Sequence, residues 1–150
     1  MTEHSESRIV PYTADVMYAV VADVERYPEF LPWVVALRLR SRTREGACEI
    51  LLAEMAVGYR SLRERYTSRV TLDPLARAVD VVAIEGPFRR LENHWRFTPE
   101  GAGSRVEFGV VFEFSNRLLQ AAAGNAFQKV LMKMTDAFEA RAASLSQSRA

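Results

Sequence analysis

Few positions in this chain have the residue type and spacing to do chemistry. Glu64 shares an alternating phase with Leu62, Tyr66, Val70 and Leu72, and Asn93 shares that of Trp95 and Phe97. Burying a polar group without a partner is costly, so a polar residue in an apolar phase needs a reason. Asn93 can donate from its amide NH2 to a carbonyl or ether oxygen of an apolar guest; Glu64 can do so only when protonated or through water. The plainer reading of both is a polar group near a strand end that reaches solvent or a backbone partner. Acid and base groups for catalysis are harder to assemble. His94 falls in phase with Glu92 and Arg96, away from the apolar face, and His4 lies near the start of the chain. No Ser/His/Asp set or pair of inward carboxylates can be drawn, and Gly101-Ala102-Gly103 reads as a hairpin turn, since no helix follows it. Cys48 is the only cysteine, and with two histidines it makes no metal-ligand cluster. The expectation is a protein that is not an enzyme and requires neither metal nor cofactor.

The cations form a second group. Lysine occurs only at 129 and 133, so arginine supplies eighteen of the twenty basic residues. Arg38, Arg40 and Arg42 alternate along one strand candidate, and Arg63, Arg65 and Arg69 along another, which places both sets on the outer face of a sheet. Arginine forks suit phosphates, and clustered positive charge attracts RNA or anionic lipid headgroups. Against this, Glu49 and Glu54 in the intervening strand can neutralise the field, and charged outer faces are ordinary for antiparallel sheets. A net charge of +1 gives no reason to expect a DNA partner.

The elements that position these residues follow from periodicity. At 150 residues, 49% hydrophobic and 26% charged, the chain fits one soluble domain with a sizeable core. The first twenty residues do not read as a secretory signal, so the cytoplasm is the expected compartment, with any membrane contact peripheral. A strand around Ser5–Val10 precedes a helix capped by Thr13, with Val16, Met17, Val20 and Val21 at helical spacing. A shorter helical turn spans Val24–Leu31, with Pro28 in its first turn and Pro32 ending it. From Val34 to Ser115 the period is two, broken at 44–46, Gly58, Asp73-Pro74, 85–87 and 99–101, which yields six hairpin-linked strands. In the fourth strand Thr67 joins Arg63, Arg65 and Arg69 on the outer side. Ser115 or Asn116 then caps a helix to about Ser146, with Phe127, Val130, Leu131, Met134, Phe138, Ala142 and Leu145 as its apolar stripe. This is an α+β layout of the helix-grip kind: two small helices after the first strand and a curved antiparallel sheet of about seven strands around a long C-terminal helix.

In that layout the inner sheet face and the final helix confront each other. Their lining, Tyr66, Trp95, Phe97, Phe108, Phe112, Phe127, Val130, Met134 and Phe138, suits an apolar guest, although each of these side chains could equally fill its neighbours' space. Phe30 and Trp33 sit where the small helices meet the sheet, as a cavity lip or as a packing corner. The Glu85-Gly86-Pro87-Phe88 turn offers a further exposed aromatic.

Two blocks carry a family resemblance that covers nearly the whole chain. Val21-Ala22-Asp23-Val24-Glu25-Arg26-Tyr27-Pro28-Glu29-Phe30-Leu31-Pro32-Trp33 resembles the V-x-D-V-E-x-Y-x-x-F-x-P-W run of the coenzyme Q-binding branch of the START-like superfamily, which is grouped with polyketide cyclases and lipid-transport proteins. Gly86 to Phe97 is similar to that branch's G-P-F-[KR]-x-L-x-x-x-W-x-F hairpin. The resemblance implies a START-like domain over 1–150 that binds ubiquinone or another apolar lipid and supports respiratory electron transfer; with such a guest, the inward-phase Asn93 and Glu64 are the residues that could meet the quinone oxygens. For a protein of that role in the cytoplasm, peripheral residence at the inner membrane is a further expectation. Bacterial members of the same branch are described as ribosome association toxins that bind the large ribosomal subunit, so that role stands as the alternative. Polyketide cyclases and aromatases share the fold, but the residues above do not assemble their chemistry.

Overall fold

A computed structural model describes residues 2–60 and 62–148, with side chains as far as residue 146. The first strand, β1 (Thr2–Val10), starts three residues earlier than its sequence pattern suggests because its pairing with the last strand runs from Thr2↔Phe112 to Val10↔Ser104. Helix α1 (Ala14–Ala22) follows; Thr13 has extended backbone, and its Oγ1 accepts from the Val16 amide at 3.2 Å, as a capping threonine should. The expected second helical turn is split. A 3₁₀ turn (Val24–Arg26) leads into the single turn α2 (Tyr27–Phe30), and Leu31 adopts extended geometry before Pro32.

Six strands then form the meander: β2 (Val34–Glu45), β3 (Cys48–Tyr59), β4 (Leu62–Asp73), β5 (Ala78–Glu85), β6 (Phe88–Glu100) and β7 (Gly103–Phe114). All pairs are antiparallel in the order β1-β7-β6-β5-β4-β3-β2, so consecutive β1 and β2 lie on opposite edges and the small helices bridge them. Gly58 is not a turn, as its composition suggests, but lies inside β3. A Cβ there would sit 3.0 Å from Val35 Cγ2, so the missing side chain admits the neighbouring strand. The reversal falls instead after Arg60, whose φ of 55° is unusual for a residue with a side chain. Thr67 is buried beside Ser68, against strict alternation, at a register shift between β4 and β5.

The long helix α3 (Arg117–Ser148) is capped by Asn116, whose Oδ1 accepts from the Leu119 amide at 2.8 Å. Ala123, Phe127, Val130, Leu131, Phe138 and Ala142 are buried, whereas Leu145, expected on the same stripe, is 38% exposed. Polar contacts tie α3 to β1 and to α2. Arg8 on β1 donates to Asp136 at 2.8 Å and Glu139 at 3.0 Å, and Thr135 donates to Glu6 at 2.9 Å. Arg141 reaches Glu29 at 3.2 Å and lies 4.9 Å over the Phe30 ring. Among the described residues, no helix is long and apolar enough to cross a membrane. The fold is therefore the expected seven-stranded curved sheet gripping a C-terminal helix.

Candidate functional site

Between the sheet and α3 lies a cavity of about 60 Å³. Its floor comes from the inward phase of β3 to β6, including Ala53, Met55, Val57, Tyr66, Ser68, Val70, Val81, Leu91, Asn93 and Trp95. Phe127, Val130, Leu131 and Met134 of α3 close it above, and Val24, Tyr27, Leu31, Trp33 and Val34 close it at the small-helix side. That space holds a few ordered waters or the tip of a larger guest. Met55 and Met134 are its most adaptable walls, since unbranched thioethers re-pack readily.

The walls are apolar apart from a small polar set. Ser68 is 4% exposed and Asn93 9%, and neither Ser68 Oγ nor Asn93 Oδ1 has a hydrogen-bond partner among the described residues. Native structures leave few buried polar atoms in this condition, because each costs about 1–3 kcal/mol. Tyr66 hydroxyl, on the same strand as Ser68, donates only weakly, to Met55 Sδ at 3.6 Å. Burial pushes the Tyr66 phenol up to about 12 and raises that of Tyr27, whose hydroxyl donates to the Val21 carbonyl. Both therefore stay protonated near neutral pH, and among the described residues they are the only titratable side chains on the cavity wall.

The structure brings seven of the sequence-singled residues to this wall: Trp33, Tyr66, Asn93, Trp95, Phe127, Val130 and Met134. The other six lie elsewhere. Phe97, Phe108, Phe112 and Phe138 are core residues beside the cavity: the Trp95 ring centroid lies 4.3 Å from that of Phe108 and 5.2 Å from Phe138, and Phe112 is 4.9 Å from Phe127. They fill one another's space, which is why the hollow is small. Phe30 packs on Tyr27 and Phe138 and borders a separate groove between α1 and the end of α3. Glu64 is half-buried near the start of β4, off the cavity wall. Ser68 was missed although it has the phase of Tyr66 and Val70; a small hydroxyl among arginines and threonines gives no sequence signal of burial. Phe88, expected to be exposed, stacks at 4.7 Å on Phe114.

The arginine face divides. Arg38 meets Glu54 at 3.2 Å, Arg40 meets Glu85 at 3.3 Å, and Arg42 meets Glu49 at 2.8 Å and Glu25 at 3.1 Å. Arg63 turns one nitrogen onto the Arg60 and Leu62 carbonyls. Among the described residues, Arg65 and Arg69 are exposed on β4 with no ion pair within 4.0 Å. No group of three His, Cys, Asp or Glu side chains among the described residues could hold a metal.

The family model for polyketide cyclase / dehydrase and lipid transport matches residues 10–139. The chain belongs to that family. Among its relatives, a ribosome association toxin, RatA, of Rickettsia prowazekii is 32% identical over 145 residues, covering 95% of this chain and 97% of the toxin. The mitochondrial coenzyme Q-binding protein COQ10 homolog B of Xenopus laevis is 35% identical over 147 residues, covering 93% of this chain and 57% of that protein. The solution structure of an 18 kDa Caulobacter crescentus protein superposes with a TM-score of 0.80 at 40% identity, covering 98% of this chain and 99% of that one. A Streptomyces aromatase/cyclase shares the fold, with a TM-score of 0.74 at 16% identity over 94% of this chain and 93% of that one. The family thus holds both enzymes and binding proteins, and the toxin and the coenzyme Q-binding relative both align along nearly all of this chain.

Proposed function

We propose that this protein is a non-enzymatic carrier of an apolar ligand with a hydrogen-bonding head, of the prenylated quinone class, held between the sheet and α3. The observation that carries the reading is the pair of buried polar atoms, Ser68 Oγ and Asn93 Oδ1, facing a greasy cavity without protein partners. A ring bearing carbonyl, hydroxyl or ether oxygens offers such partners, and an isoprenoid tail suits the aliphatic and aromatic walls. Ser68 and the Asn93 amide can donate as well as accept, so they accommodate either oxidation state of the head. Proton-transfer chemistry has little to work with: no carboxylate, imidazole or amine lines the wall, and both tyrosines hold their protons. A prenylated head is larger than about 60 Å³, so uptake requires Met55, Met134 and neighbouring α3 side chains to re-pack.

Both tryptophans of the chain, Trp33 and Trp95, line the cavity, which supplies the assay. Titration with a short-tailed ubiquinone should quench intrinsic fluorescence to saturation, and Ser68→Ala should raise the concentration needed. Quenching that grows linearly without saturating, equal in both proteins, would remove the cavity from the account.

A second reading, association with the large ribosomal subunit, is favoured by the RatA relatives and by one surface observation: Arg65 and Arg69 stand uncompensated on the outer face. Co-sedimentation with large subunits that is abolished by Arg65→Glu with Arg69→Glu would support it. Sedimentation indifferent to that pair would remove the outer face as the contact.

A further inference from the structure

The two ends of the sheet differ in how their cations are paired rather than in exposed aliphatic side chains, which both carry, Ile9 and Leu75 at one of them. The other end gathers the start of β2, the β3–β4 and β5–β6 reversals and the β7–α3 junction. We infer that this end docks on an anionic lipid bilayer, with Arg60, Arg63, Arg117 and Lys133 on the phosphates and Val35, Ile84 and Leu118 entering the headgroup layer.

Four observations converge. First, Leu118 is 85% exposed, Val35 66% and Ile84 41%, three large aliphatic side chains that the fold leaves in water. Second, two of them are bulge residues. The β2–β3 register steps from Val34↔Val57 to Ala36↔Ala56 and skips Val35; the β4–β5 register steps from Thr67↔Glu85 to Ser68↔Ala83 and skips Ile84. Bulges re-aim side chains, and here they turn aliphatic ones out of the ladder. Third, cations occupy places where local physics disfavours them. Arg60 holds φ 55° in a reversal that glycine or asparagine would adopt at lower cost, and Arg117 begins α3, at the positive end of its dipole, with no acid in the first turn. Arg77, at the opposite end, has a similar φ of 50° but is paired with Asp15, so what sets Arg60 apart is a strained cation left without a carboxylate.

Fourth, the charge is uncompensated. Arg60 and Lys133 both lie over the Tyr59 ring, at 5.5 and 5.0 Å, and Lys133 donates to the Tyr59 hydroxyl at 3.1 Å; this contact lowers the phenol's pKa. Among the described residues neither these two nor Arg63 and Arg117 have a carboxylate within 4.0 Å. Of the acids at this end, Glu85 and Glu113 are engaged by Arg40 and Arg89, which leaves the half-buried Glu64 and, on the edge strand β1, the exposed Glu3. At the opposite end Arg77 and Arg105 are paired, with Asp15 and Glu100, while Arg44 stands alone there with no carboxylate within 4.0 Å among the described residues. Mixed aliphatic and cationic side chains match a lipid surface better than RNA, which rewards the cations but not the aliphatics. Val34, Val57 and Met134 of the cavity wall lie within one or two chain positions of Val35, Tyr59 and Lys133, so a docked bilayer would lie beside the cavity.

The test uses the full chain and needs no quinone, so it stands apart from the carrier assay. Vesicles of phosphatidylcholine with about one third phosphatidylglycerol should bind the protein, in a manner weakened by salt, and pure phosphatidylcholine vesicles should not. At about fivefold per cation held at such a surface, Arg60→Gln with Arg63→Gln should lower partitioning on the order of 30-fold. Leu118→Asp, at a position outside the core, should lower it independently. Arg44→Gln with Arg69→Gln, the same charge change elsewhere, should leave it intact. Absence of binding to anionic vesicles, or equal losses in both arginine pairs, overturns the inference. So does a protein that ignores vesicles but loses ribosomal-subunit sedimentation when Arg60 and Arg63 are changed, since that assigns the surface to RNA.

Discussion

Replacing Asn93 by leucine should make the protein more stable and a poorer binder at once. Asn93 pairs in register with Val81 on one side and Val110 on the other, so leucine of similar size finds apolar neighbours. Its Oδ1 has no protein partner, and such a buried oxygen costs about 1–3 kcal/mol where nothing meets it. Removing it should raise Tm by about 2–4 °C per kcal/mol in a domain of this size, a shift on the order of +2 to +12 °C. The ligand loses one hydrogen bond worth about 0.5–1.5 kcal/mol, a two- to thirteenfold loss of affinity. Calorimetric melting of the ligand-free protein gives the first number and isothermal titration with a short-tailed ubiquinone the second. Opposite signs are the signature of a polar group retained for binding rather than folding. A variant that melts lower and binds as tightly as the parent would show that Asn93 serves the fold, and the reasoning from unpartnered atoms would fail.

Other perturbations test the scaffold. Gly86→Ala should destabilise by more than about 2 kcal/mol in chemical denaturation, because its φ of 133° suits only glycine and a Cβ would lie 2.5 Å from that of Tyr66; it should also weaken ligand binding by displacing that wall residue. Tyr27→Phe strips the Val21 carbonyl of its hydroxyl donor and should cost about 1–3 kcal/mol, read from the denaturation midpoint. Burial alone would raise the Glu6 carboxyl, but hydrogen bonds from Arg8 and Thr135 outweigh it and hold the pKa below the ordinary value. A depressed folded pKa contributes stability that is present above the unfolded value near about 4.3 and fades as pH falls through the folded value. The Tm advantage of the parent over Glu6→Gln should therefore shrink below about pH 4.5; an advantage independent of pH would show that the carboxylate's charge does not pin α3.

The layout was legible because long periodic segments dominate it. The inward run Val106, Phe108, Val110, Phe112 and Phe114 is buried as alternation requires, and the α3 stripe from Phe127 to Ala142 faces the sheet. Local exceptions escaped. Gly58 gives the same signal whether it turns the chain or admits a neighbouring strand, and only the proximity of Val35 decides. Period two separates inside from outside but not wall from core, so Phe97, Phe108, Phe112 and Phe138 were grouped with residues that touch empty space. Glu64 kept the inward phase but sits at the start of β4, where that phase no longer faces the cavity. Ser68 had the correct phase and no distinguishing chemistry. The pairing of Arg38, Arg40 and Arg42 depended on Glu25 and Glu85, partners far along the chain, as well as on Glu49 and Glu54 in the adjacent strand.

Organic extraction and mass spectrometry of the protein isolated from the cells that make it bears most directly on the carrier claim. The account predicts recovery of a prenylated quinone in amounts comparable to the protein, sharply reduced for Asn93→Leu. Protein that yields no apolar compound with a polar head, yet travels with large ribosomal subunits, would contradict it.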